Sequence, residues 1–264
     1  MTETEPVLVV SPIVDGVLEL RLNRPDSMNA LNLELKSALA EAVRAAELDE
    51  QVRAVLLTAS GRAFCAGGDL SEMDPGRSPE TARVRQEALL NHVFIPLARL
   101  AKPVVAAVHS HAHGAGLSLA LACDVVVVAE DAPLSLGYVL RGLTPDCGMT
   151  YFLPRLLGMA RAKDLLFSGR RFTGADAEAM GLVAVSVAAE QVANVASDRA
   201  RELAGLPTVA LVLAKRMLDQ SSHLSLEDLA NVEAYSQAIT RSTEDHMEAI
   251  EAFQAKRPAV FSGR

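Results

Sequence analysis

Apolar, β-branched runs recur through the first two thirds of the chain, each followed by a small-residue turn or an amphipathic helix. The organising stretch is Pro103 to Asp124, PVVAAVHSHAHGAGLSLALACD. Val104 to Val108 is apolar without interruption, the pattern of a strand covered on both faces, and Gly114 and Gly116 bracket a sharp turn. Leu117, Leu119, Ala120, Leu121 and Ala122 then read as a buried helix. A helix starting there leaves its first free N–H groups near Ala115 and Gly116, where they suit an oxyanion.

Upstream, Val7–Val10 and Val17–Leu22 form a predicted hairpin turning at Asp15-Gly16. A helix is expected from Leu33 to Leu48, with Asn32 as N-cap and Leu35, Leu39, Ala42, Val43 and Ala46 on one face. Arg53–Thr58 is the next buried strand, and Ser60–Leu70, SGRAFCAGGDL, is a small-residue turn that lets backbone approach a ligand. A loop able to act as a lid is predicted over Ser71–Ser78, then a helix from Pro79 to Leu100 that breaks at Pro96. Asp124–Ala129 has no polar face and lies inside.

Leu134–Tyr138 is short and extended, and the turn RGLTPDCG places Asp146 at the start of a helix containing Tyr151, Phe152 and Leu153 and, after a local break, Leu156 and Leu157. Helices follow over Ala160–Phe167, Gly174–Met180 and Glu190–Ala204, with a short strand at Leu182–Val187 between the last two. Beyond Pro207 the pattern is helical only, over Thr208–Leu218, Leu226–Ile239 and Thr243–Gln254. These elements predict an α/β fold with a core over residues 1–206 and a helical region over 207–264.

Half of the 264 residues are hydrophobic, enough for a full core. With 33 acidic against 25 basic residues and a net charge of -8, the chain offers no basic face for a nucleic acid or an anionic membrane. Small molecules or protein partners fit better, and an anionic ligand would need backbone N–H groups and a few placed cations. Cys65, Cys123 and Cys147 form no CxxC motif or disulfide framework, so a reducing cytosol is expected. The opening MTETEPVLVV has no basic stretch before its apolar run, and neither an export signal nor a membrane span is read from it. His109, His111 and His113 alternate along an extended segment, a spacing metal sites use and turn or pocket-wall histidines share. His92 is either a helix-borne base or a structural histidine.

The motifs of the chain resemble the enoyl-CoA hydratase/isomerase, or crotonase, superfamily. The resemblance rests on Asn23-Arg24-Pro25 with Asn29-Ala30-Leu31-Asn32, on Phe64-Cys65-Ala66-Gly67-Gly68-Asp69-Leu70, and on Lys102-Pro103 leading to Gly114-Ala115-Gly116. It continues through Leu121-Ala122-Cys123-Asp124, Leu153-Pro154-Arg155-Leu156 and Ala252-Phe253-Gln254-Ala255-Lys256-Arg257-Pro258. It implies a crotonase-like spiral of ββα repeats with a C-terminal helical trimerisation region, assembled as homotrimers or dimers of trimers. Substrates would be acyl-CoA thioesters, with coenzyme A as part of the substrate and no other cofactor or metal. The oxyanion positions matching the family are Ala66 and Ala115. Arg24, Ala66, Gly68, Phe253 and Lys256 would lie along the coenzyme A, Lys256 near its phosphates.

The chain departs from the hydratases of that family at two positions. Their paired glutamates match Ser118 and Tyr138 here, and neither hydroxyl is an efficient base near neutral pH. Ser118 then reads as a small helix residue, and Tyr138 either orients a thioester or fills the volume of the missing acid. Asp146 lies where some isomerases of the family carry a carboxylate, and it either serves as a single base or caps the helix that follows. One carboxylate suffices to move a double bond in an enoyl-CoA. An isomerase is the expectation, with an enoyl-CoA hydratase or a non-catalytic acyl-CoA-binding protein as the alternatives.

Overall fold

The computed structural model describes residues 5–72, 76 and 78–264. The chain opens with the expected hairpin, β1 (Leu8–Val10) against β2 (Val17–Leu22), antiparallel with Leu8 opposite Leu22 and Asp15 and Gly16 at positive φ in the turn. Helix α1 (Leu33–Leu48) follows, and Asn32 caps it by accepting from Leu35 N at 2.9 Å. Its buried face is Leu35, Leu39, Ala42, Val43 and Ala46, as the periodicity requires.

The middle of the chain alternates between two sheets. β3 (Ala54–Ala59), β5 (Val104–Val108) and β7 (Val125–Ala129) join β2 in one six-stranded sheet, ordered β1-β2-β3-β5-β7 with β10 (Val185–Val187) at the far edge. β4 (Ala63–Cys65), β6 (His111–His113), β8 (Leu134–Ser135) and β9 (Arg171–Phe172) form the second sheet in that order. Each long strand is thus followed by a short one in the other layer, β3 by β4, β5 by β6 and β7 by β8, which winds the chain as repeated ββα turns. All five residues of β5 are buried at the centre.

Two of the short strands correct the expectation. Ala63–Cys65 lies within the segment read as a turn and Arg171–Phe172 between two expected helices, whereas His111–His113 keeps the extended form read for it. Strands of two or three residues are too short to show a period of two, so only their pairing partners reveal them.

The helix expected over 79–100 is α2 (Pro79–Leu89), a wide π turn over Leu90–Phe94 and α3 (Ile95–Ala98). Pro96 has no N–H and its ring would crowd the carbonyl four residues back, and the wider turn, in which Ile95 N reaches Leu90 O, takes up the misfit. The loop predicted over Ser71–Ser78 falls largely on residues 73–75 and 77, outside the described residues. Helix α4 (Ala115–Leu121) follows β6, and α5 (Met149–Leu157), α6 (Met159–Ser168), α7 (Gly174–Ala179) and α8 (Val192–Ala204) complete the body, α8 lying against β3, β5 and β7.

The remaining helices, α9 (Thr208–Gln220), α10 (Leu226–Arg241) and α11 (Glu244–Ala255), pack on one another in sequence. Polar anchors tie them back to the sheet. Lys215 on α9 pairs with Asp124 at 2.8 Å, and the Arg53 guanidinium donates to Thr208 Oγ1, Leu206 O and Phe261 O. Buried Asp245 accepts from Ser262 N and Gly263 N at 2.7 and 2.9 Å, folding the C-terminal tail onto the start of α11. Lys102 is buried because its ammonium caps α1, donating to Ala46 O at 2.7 Å and to Asp49 O, where the helix leaves carbonyls without partners.

Candidate active site

β4 and β6 are parallel neighbours, with Ala63 opposite His111 and Cys65 opposite Ala112. The turns that leave them, Ala66–Asp69 and Gly114–Gly116, therefore emerge side by side. Two glycines make the approach possible. A Cβ on Gly67, which sits at φ +101°, would lie 2.7 Å from His113 O, and one on Gly116 would lie 2.2 Å from Cys65 O.

Backbone donors at this junction sort clearly. Ala66, expected as an oxyanion donor, gives its N–H to Met28 O at 2.9 Å, and the Gly67 N–H faces the Cys65 thiol. Gly68 N–H, two residues on, meets no acceptor among the described residues. Across the junction α4 begins at Ala115, and its first intrahelical bond is Ser118 N to Gly114 O, which leaves Ala115 N–H without an acceptor as well. The first turn thus leaves Gly68 N–H free and the second leaves Ala115 N–H free, with Gly116 N–H behind it in the first turn of α4; Gly68 takes the place expected of Ala66, whose own N–H ties the turn to the segment before α1.

That segment is the Asn23-Arg24-Pro25/Asn29-Ala30-Leu31 motif. Asn29 is fully buried; its Oδ1 accepts from Arg24 N at 2.7 Å and its Nδ2 donates to Ser60 O and Ala63 O, both at 2.8 Å. Leu31 N donates to Gly67 O at 2.8 Å. Arg24, expected along the coenzyme A, pairs with Asp69 Oδ2 at 2.9 Å and also donates to Ala30 O. The Ser71 hydroxyl foremost, then Arg24, hold the Asp69 carboxyl below the usual carboxylate range against the opposing effect of burial. Two motifs far apart in sequence are one scaffold for the turn.

Behind the turns lies a chain of hydroxyls. Ser118 Oγ donates to Gly114 O at 3.1 Å, so its only proton is committed, and the 2.8 Å bond between Ser118 and Tyr138 must be donated by the phenol. Both side chains are buried, Ser118 at 0% and Tyr138 at 7% exposure. Burial, reinforced by the Asp146 carboxylate, pushes the Tyr138 phenol well above its ordinary range, and burial pushes the Cys65 thiol up to about 12. Burial and Asp146 likewise raise Cys147.

Asp146 does not cap α5. Gly148 holds that position without a side-chain bond, and only the Asp146 carbonyl serves the helix, accepting from Met149 N at 3.0 Å. Its Oδ2 accepts from Gln86 Nε2 on α2 at 3.1 Å, and its Oδ1 is buried with no partner among the described residues. Gln86 was not foreseen, since nothing in a charged, exposed helix marks one glutamine as turned inward.

The other sequence candidates separate. His109 bonds Gly61 O at 3.0 Å, whereas His111 Nδ1 and His113 Nε2 lie 3.4 Å apart and His113 Nδ1 meets Ser135 Oγ at 2.9 Å. Burial, His111, Arg171 and Arg141 push His113 down to about 4, so it is neutral at pH 7. His92 is exposed on the π turn. Phe253 stands 86% exposed on α11 and Lys256 closes that helix at φ +52°; no side-chain hydrogen bond or ion pair joins either to the turns among the described residues.

The two-sheet spiral with adjoining glycine turns defines a class of proteins that present backbone donors side by side from two parallel strands. The family model described as enoyl-CoA hydratase/isomerase matches residues 13–264, and the chain belongs to that family, with its crotonase fold. The chain is 37% identical over 259 residues to the 1,2-epoxyphenylacetyl-CoA isomerase of Escherichia coli K12, covering 97% of this chain and 98% of the relative. It is 38% identical over 254 residues to the mitochondrial enoyl-CoA hydratase domain-containing protein 2 of Bos taurus, covering 94% and 85%. The crystal structure of an enoyl-CoA hydratase from Bacillus anthracis superposes with a TM-score of 0.92 at 31% identity, covering 98% of this chain and all of that one.

Proposed function

We infer that the protein is an acyl-CoA isomerase that shifts a double bond in an enoyl-CoA thioester. The observation that carries this reading is the contrast between two parts of the cleft. Ser118 and Tyr138 form a relay of hydroxyls that ends on a backbone carbonyl, and neither carries a carboxylate of its own to activate water. Asp146, by contrast, offers a buried carboxylate oxygen without a partner. The isomerase name carried by the Escherichia coli relative is in line with this, although other relatives are named hydratases.

In this reading the thioester oxygen of a 3-enoyl-CoA accepts hydrogen bonds from Gly68 and Ala115. Asp146 Oδ1 removes a proton from the carbon next to the thioester, and the electron pair moves onto the oxygen as an enolate. Collapse of the enolate carries the double bond to the 2,3 position as the new carboxylic acid returns its proton to the fourth carbon. No water is consumed and one group carries the proton both ways. Each preorganised donor contributes on the order of 3 kcal/mol to the developing charge. Tyr138, its proton engaged by Ser118, lines the cleft rather than moving a proton.

The remaining parts of the reading concern assembly and the nucleotide end. Exposed apolar side chains on α9 to α11, among them Leu218, Leu226, Tyr235 and Phe253, support a homotrimer or a pair of trimers built through the region from 207 to 264. Lys256 and Phe253 are free to meet the nucleotide, and Arg24 acts on it only through the turn it braces. Coenzyme A enters as part of the substrate, with no other cofactor. The three buried free thiols suit a reducing compartment such as the cytosol, and no helix among the described residues is long and apolar enough to cross a membrane.

Turnover of a 3-enoyl-CoA in heavy water, followed by mass spectrometry, tests the reaction. The expected product is the 2-enoyl isomer with no hydrated species and with deuterium at the fourth carbon only to the extent that the Asp146 acid exchanges before it returns the proton, and Asp146→Asn lowers kcat by about 10²-fold or more. A hydrated product, or a fully active Asp146→Asn enzyme, overturns it.

A further inference from the structure

Helix α2 is an exposed element. Along Pro79–Leu89 only Gln86 and Leu89 are drawn partly out of solvent, and Leu89 lies at the end where the helix turns into the π segment. The inward residue in the body of this helix is therefore an amide, and its amide nitrogen is spent on one atom, Asp146 Oδ2 at 3.1 Å. A primary amide withdrawn from water needs such a partner. The consequence for Asp146 is directional. One carboxylate oxygen is pinned from α2, and the other is left buried and unpartnered.

From this geometry we propose that Gln86 is the positioning residue of the isomerase base: it holds Oδ2 of Asp146 so that Oδ1 is the oxygen presented to the substrate. The inference rests on the reading of Asp146 as the base. The other groups around Asp146 are these. Tyr138 and Cys147 are pushed upwards by burial and by Asp146 itself, Cys65 is pushed up to about 12, and Lys36 of α1, near Cys147, is paired with Glu72 at 3.3 Å.

The test is the pH profile of kcat/KM for double-bond migration in Gln86→Glu, Gln86→Leu and Asp146→Asn beside the wild type. Substitution on an exposed helix leaves folding intact, which circular dichroism and melting check. Gln86→Glu sets a second carboxylate about 3 Å from the first, and the pair must share a proton. Its acid limb moves up by about one pH unit or more, so activity near pH 6 falls about tenfold and recovers at high pH, with KM little changed. Gln86→Leu moves the limb in the same direction by less and lowers kcat. A merely structural glutamine would lower the melting temperature of Gln86→Leu without lowering its kcat. An inactive Asp146→Asn enzyme together with an unmoved limb in Gln86→Glu overturns this inference alone, whereas an active Asp146→Asn enzyme overturns the assignment of the base.

Discussion

Gly116→Ala tests whether the contact between the two turns sets the oxyanion site. The added methyl would lie 2.2 Å from Cys65 O and 2.7 Å from Cys65 Cβ. Ordinary contact needs more than 1 Å beyond the first distance, and neither side has a flexible end to yield: Cys65 is fully buried in β4 and all of α4 is buried. Relief must come from parting β4 and the first turn of α4 by about 1 Å, which separates Gly68 from Ala115. Misplacement on that scale costs on the order of 10²-fold in rate, close to the loss of one oxyanion donor at about 3 kcal/mol.

Overpacking costs a further 1–3 kcal/mol or so of stability, and a chain of this size loses roughly 2–4 °C of melting temperature for each of these. The assay is steady-state isomerisation with melting measured in parallel. Gly181→Ala is the control: unlike Gly116, Gly181 has positive φ, but nothing lies within 4 Å of its Cβ, so it bears only backbone strain of about 1–2 kcal/mol and keeps full activity. A folded Gly116→Ala protein with kcat within about threefold of wild type would falsify the idea that this contact aligns the donors.

Two other substitutions separate structural from chemical roles. Tyr138→Phe removes the bond to Ser118 yet leaves Ser118 donating to Gly114 O, so stability falls by about 1 kcal/mol and turnover persists; a proton-transfer role would instead show as a loss of about 10²-fold or more. Lys215→Met strands Asp124, whose carboxyl is raised by burial and pulled back down by Lys215, and costs about 1–3 kcal/mol at pH 7. Because the folded-state pKa of Asp124 is raised, stability from this group is full at low pH and lost as pH rises through that pKa. Removing Lys215 raises it further, so the deficit narrows as the solution is acidified through the carboxylate range; a difference in melting temperature that stays constant from neutral pH to about pH 4 would contradict this.

What the sequence determined by itself is local. The α1 cap and buried face, the apolar central strand and the glycine turn at Ala115 follow from patterns a few residues long. The motifs place the chain in its family, and the loss of both glutamates is visible at Ser118 and Tyr138 without any structure. Only the tertiary structure decided the second sheet, whose strands are too short to show a period. It also decided which amide of the Ala66–Gly68 turn is free, because Met28, far upstream, takes the Ala66 proton. The same holds for buried Asn29, for the one-way relay from Tyr138 to Gly114, and for Gln86 reaching Asp146 across 60 residues. Periodicity reports whether a position is buried. Which partner a buried polar group finds depends on segments brought together only by the packed chain, and in this protein the chemistry is set by those partners.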